Sequence, residues 1–208
     1  MKTPTELHPD LTEERLCIIG NIFRDRRHTA VLRHLPEEGD SNWVLGCRCW
    51  EWIRVRIEKD AAGPYKDWLS IIEDGRGGAH FVFGVGSVPV RFYRGDPNDP
   101  PSKIVECSAI ELDAFQSAFP GCERITKRKR DEEEQGPFVR IAYTTDEKHE
   151  IDEITLFAVD KDLNPVGDGW VIPKEPTKVR KFLKREEEKN LGKPPIGSRK
   201  PKKEHGEE

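Results

Sequence analysis

The sequence predicts an α+β fold, in which an antiparallel sheet of two three-stranded meanders is covered by about three helices and followed by a disordered basic C-terminal tail. Three observations predict it. Apolar residues recur at three- to four-residue spacing within 11–35, 42–59 and 108–119, the period of a helix. Short β-branched and aromatic runs, bounded by turn residues, fill the intervals. Their order, helices followed by grouped strands rather than strict alternation, favours helices stacked on a meandering sheet.

The first helix is expected within 11–35. Thr12 stands at a capping position before Glu13 and Glu14, and Leu16, Ile19, Phe23, Arg27, Ala30 and Leu35 form its stripe; a break near Arg26 is allowed. The segment 42–59 reads two ways. Trp43, Cys47, Trp50, Ile53 and Ile57 suit a helical face, whereas Ile53, Val55 and Ile57 alternate with Arg54, Arg56 and Glu58 as in a strand. Its length and the Glu51, Arg54, Glu58 spacing decide for helix. DWLSIIED, AHFVFGVG and SVPVRFYRG then form the first meander.

If Gly86 and Ser87 make a two-residue turn, Val85 faces Val88, Gly84 faces Pro89, Phe83 faces Val90 and Val82 faces Arg91. Phe81, Phe83, Val85, Val88, Val90 and Phe92 then share one apolar face, and His80, Val82, Gly84, Pro89, Arg91 and Tyr93 share the other. A third helix follows a Ser108 cap with Glu111 as the reciprocal acid of a capping box, and Pro120 with Gly121 ends it. FVRIAYTT, EIDEITLFAVD and VGDGWVIP supply the second meander.

The charge divides the chain. Residues 174–208 hold 12 Lys and Arg against 7 Asp and Glu, so the tail carries about +5 and the body 1–173, with 23 against 32, about −9. One domain over 1–173 and a charged tail over 174–208 is the expected organisation, with at most a short helix in 177–189. KRKRDEEEQG, 127–136, reads as a solvated loop. No apolar run is long enough for a membrane span and no secretory signal opens the chain, so a cytoplasmic protein without membrane contact is expected.

Strong chemical motifs are missing. Cys17, Cys47, Cys49, Cys107 and Cys122 lack the paired spacing of a zinc site, and the histidines are dispersed, so free buried thiols and no metal are expected. No cofactor motif stands out, since the glycines of DGRGG fall between strands and not before a helix. The order helix, three strands, helix, strand is also that of restriction-endonuclease-like nucleases, but SVPVRFYRG lacks the acid that would hold a divalent metal. Such a nuclease could only be degenerate. The mixed hairpin face offers the best candidate binding site: His80, Arg91 and Tyr93 converge there, with Asp74, Arg94 and Asp96 at its ends, a set able to bind an anion or move a proton. The plainer alternative has Arg91 covering Tyr93 on a solvated sheet face. Basic and aromatic residues together also suit single-stranded nucleic acid, against which the acidic body counts.

FVFGVGSVPVRFYRGDPNDPPSK, the following helix and the meander ending in GWVIP resemble uncharacterised bacterial proteins of about this length, over roughly residues 42 to 173 and most specifically in VPVRFYRGDP. The resemblance transfers no catalytic residue. It implies a genetic setting beside a helix-turn-helix regulator fused to an IrrE-type metallopeptidase, as in toxin–antitoxin or phage-defence modules. The basic tail and the KRKRDEEE loop depart from the group. Two expectations follow: a toxin-like effector held by a cognate regulator, or a non-catalytic protein-interaction adaptor. Whether the chain is an enzyme stays open at this point.

Overall fold

The computed structural model describes residues 3–74, 81–101, 104, 108–118, 138–160 and 166–175. The expected tail beyond Glu175, the 127–136 loop, Cys107, Cys122 and His80 lie outside them. The chain divides into two units, Met1–Lys174 and Glu175–Glu208.

Helix α1 (Glu13–Leu32) runs unbroken through Arg26, because nothing in RDRRH interrupts the backbone ladder. Thr12 caps it, its hydroxyl accepting from the Arg15 N–H at 3.3 Å. Helix α2 (Asn42–Ala61) begins in the same way at Ser41, which accepts from Val44 N–H. Arg54 bridges Glu51 at 2.6 Å and Glu58 one turn on, the spacing that favours a helix.

Strands β1 (Leu69–Asp74), β2 (Phe81–Val85) and β3 (Val88–Arg94) form the first meander. Helix α3 (Ala109–Ala118) follows, then β4 (Phe138–Thr145), β5 (Ile151–Val159) and the short β6 (Trp170–Val171). The hairpin register is the one the turn dictates: Phe83 faces Val90, Gly84 faces Pro89 and Val85 faces Val88. Gly86 takes φ +62° at the first turn position, where a side chain would be strained.

One feature of the sheet differs from the expected antiparallel layout. The six strands lie in sequence order, but β3 and β4 run parallel, Arg91 opposite Arg140 and Phe92 opposite Ile141. The two meanders therefore join into a single mixed sheet. A parallel pair needs a crossover, and α3 lies in this one. Its packing covers the second face of the sheet: Leu112 and Phe115 of α3 meet Tyr93, Phe138, Ala142, Phe157 and Val159. On the first face, Leu16, Ile19 and Phe23 of α1 and Leu45, Ile53 and Ile57 of α2 meet Phe83, Val90, Phe92, Ile141 and Leu156. No helix among the described residues is long and apolar enough to cross a membrane.

The segment before α1 is tied to the hairpin tip. Asp10 Oδ2 accepts from Ser87 N–H at 2.9 Å and Ser87 Oγ–H at 2.8 Å, while Arg15 donates to Oδ1 at 3.0 Å. The Ser87 bonds and, after them, the Arg15 charge outweigh partial burial and pull the Asp10 carboxyl down to about 2. A depressed folded value means that this clamp is complete above the ordinary 3.8 and is lost as pH falls through about 2. Asp10→Asn should therefore cost about 0.5–1.5 kcal/mol in a urea titration at pH 7. The gap between the two proteins should close on acidification to about pH 2.

Candidate functional site

The mixed hairpin face is not open. Arg91 is 1% exposed, lying beneath α3, where Glu111 is 0% exposed and the neighbouring Arg140 of β4 likewise 0%. Arg140 Nη1 donates to Glu111 Oε1 at 2.5 Å, and Arg91 Nη1 stands 3.6 Å from Oε2. Arg140 also donates through Nε to the Ile104 carbonyl at 2.7 Å and through Nη1 to the Val139 carbonyl. A buried carboxylate shared by two guanidinium groups is a charge-assisted lock between helix and sheet, closed to solvent. The expectation of Arg91 as an exposed ligand or a solvated lid is thereby corrected. Glu111 is corrected as well: Ser108 accepts the Glu111 N–H at 3.1 Å as a cap should, but the Glu111 side chain turns to the arginines and not back to the cap.

The remaining candidates disperse. Tyr93 is 6% exposed and donates to the Asp96 carbonyl at 2.7 Å; burial pushes its phenol well above the ordinary range, so it is no proton carrier near neutrality. Asp96 folds its carboxylate onto Asn98, accepting from the backbone N–H at 2.8 Å, which is a turn and not a ligand site. Asp74 contributes backbone to the β1–β2 ladder opposite Phe81. Arg94, like Asp96, is exposed, and it stands at the end of β3 opposite Tyr143. The convergence of His80, Arg91 and Tyr93 into an open site therefore has no support from the positions of Arg91 and Tyr93.

What the end of β3 does line is a groove of about 450 Å³ against α2. Its α2 side is Trp43, Gly46, Cys47 and Trp50, and its sheet side is Phe92, Arg94 and Tyr143. Spacing alone groups Trp43, Cys47 and Trp50 in one stripe with Ile53 and Ile57. In fact the buried stripe of α2 is Leu45, Cys49, Ile53 and Ile57, spaced by four, and the Trp43 stripe is rotated from it by about a quarter turn. Trp50 is fixed, stacking on Phe92 at 6.4 Å between ring centroids. Trp43, by contrast, is 76% exposed.

The floor of the groove is chemically quiet. Tyr143 is 3% exposed with its hydroxyl 3.7 Å from Cys49 Sγ, and burial raises both the phenol and the thiol above their ordinary values. A thiol held protonated is a poor nucleophile. Cys47 on the rim is exposed, a departure from the buried thiols expected. No group of three metal-ligating side chains occurs among the described residues. No protein-family model, curated protein sequence or solved structure matches the chain.

Proposed function

We propose that this chain is a non-catalytic protein-interaction module. Its docking element is the groove between α2 and the ends of β3 and β4, and its occupant is an apolar side chain of a cognate regulator flanked by an acidic residue. The observation that carries the reading is Trp43, a large aromatic left 76% exposed at the edge of a concave, aromatic-lined surface beside an exposed Arg94. Leaving a tryptophan in water forgoes burial worth several kcal/mol, and Trp, Tyr and Arg dominate the energetics of protein interfaces. The guanidinium at the groove end supplies the complement to an acid. The regulator of the genetic setting described above is the partner to try first.

Purified with that regulator, the wild-type chain should form a complex that Trp43→Ala weakens at least about tenfold, or 1.4 kcal/mol. Arg94→Glu should weaken it further at low salt than at high salt. Leu32→Ser, on an exposed position of α1 away from the groove, should leave it unchanged. Equal affinity for wild type and Trp43→Ala in a titration would remove the groove from the interface. The toxin-like effector reading draws on the same genetic setting but has lost its open face around Arg91. Induction of the chain alone separates the two, because an adaptor leaves growth unaffected, whereas arrest relieved by the regulator belongs to an effector.

A further inference from the structure

On the far side of α2, about half a helical turn from the Trp43 stripe, Trp52, Val55, Arg56 and Lys59 form another stripe. It faces Arg26, Thr29 and Arg33 of α1 across a concavity of about 350 Å³. Four cations therefore line one cleft of a body whose formal charge is strongly negative. Such a concentration is self-repelling, and helix packing alone does not call for it. Among the described residues only Arg56 of the four has a close acid, Asp60, at 2.8 Å, with Asp25 contributing at longer range. Arg33 Cζ stands over the Trp52 ring, 5.3 Å from its centroid, a cation–π contact that holds the guanidinium in place without neutralising it. Arg26 Nε is buried and has no hydrogen-bond partner among the described residues.

We infer that this cleft binds a small multiply charged phosphate, of the inorganic pyrophosphate or nucleoside polyphosphate class. Planar guanidinium groups match phosphate oxygens bidentately, and Lys59 adds a point charge at the end of the cleft. Thr29 adds a hydroxyl on the α1 wall. The concavity suits a compact ligand, because a strand of nucleic acid needs an extended basic track that the surrounding acidic body would repel.

Calorimetric titration of the full chain with inorganic pyrophosphate at physiological ionic strength tests the assignment. Saturable one-to-one binding that weakens at least tenfold in Arg26→Gln is the expected result. The same weakening is expected in the exposed pair Arg33→Gln with Lys59→Gln, which keeps the test valid if the Arg26 variant folds poorly. Arg54→Ala, whose charge sits in the Glu51 and Glu58 bridge on another face of α2, should bind as wild type does. Binding that survives the paired substitution would place the anion elsewhere, on the basic residues beyond 174, and would overturn the proposal. So would capture of a labelled single-stranded RNA with no response to pyrophosphate.

Discussion

Glu111→Ala is expected to destabilise the chain by about 3–5 kcal/mol in a urea titration at pH 7, among the largest effects of any single substitution here. The reason is the asymmetry between making and breaking a buried ion pair. Arg91 and Arg140 sit at 1% and 0% exposure with this carboxylate between them, and alanine leaves both guanidinium groups in a low-dielectric layer without it. Glu111→Gln retains the shape and two polar atoms, so its loss should be smaller but still above about 1 kcal/mol. Replacing all three members together, Arg91→Met, Glu111→Leu and Arg140→Met, should recover most of the stability, because the desolvation of all three charges disappears with the attraction between them. A Glu111→Ala loss below about 1 kcal/mol would mean that α3 does not seat this side chain under the sheet.

The same cluster shows where sequence reasoning stopped. The identity of nearly every element was legible, because α1 and α2 carry capping residues and four-residue stripes and the strands carry β-branched runs between turns. The hairpin register was legible too, since a two-residue turn with Gly86 first leaves one pairing. The parallel join of β3 to β4 was not. It depends on where a crossover lands, and no local pattern encodes that. Once the crossover puts α3 on the second face, a strand residue that reads as solvent-facing becomes a core residue, and Arg91 is that residue. Arg27 was the readable exception: it falls within the apolar stripe of α1 and is 0% exposed, its Nε donating to the His149 carbonyl at 2.6 Å.

The candidate groove was less legible for a different reason. Trp43, Cys47 and Trp50 obey helical spacing as well as the true core does, so periodicity gives two stripes without ranking them. A ranking signal was present in the side chains. Leu45, Cys49, Ile53 and Ile57 form a stripe without polar or indole groups, and Trp rarely disappears fully into a core. That stripe takes the interior, and the tryptophans are left to flank it. The basic cleft was less legible still, for Arg56 and Lys59 lie on α2 and Arg26 and Arg33 on α1, and only the packing of the two helices brings them to one cleft.

Phe83→Ala should cost about 3–5 kcal/mol, the loss of a fully buried ring plus the cavity it leaves between the sheet and its helices. Phe83 touches no solvent, and its ring centroid lies 6.0 Å from that of Phe81 and 6.5 Å from that of Phe92. Because both faces of the sheet are covered, a large loss at Phe83 does not by itself establish which face it occupies, and Arg91 on the opposite face will also be costly to truncate. Coupling does establish it. Phe83→Leu combined with Phe92→Leu should be non-additive by about 0.5–1.5 kcal/mol, since the two rings share one aromatic cluster. Phe83→Leu combined with Phe157→Leu should add within about 0.5 kcal/mol, since Phe157 belongs to the layer under α3. A one-residue slip of β2 would abolish the first coupling, because it turns Phe83 to the face under α3 and away from Phe92, and both pairs would then add. Equilibrium unfolding data in which the Phe83 and Phe92 pair also added would overturn the register of β2 on β3.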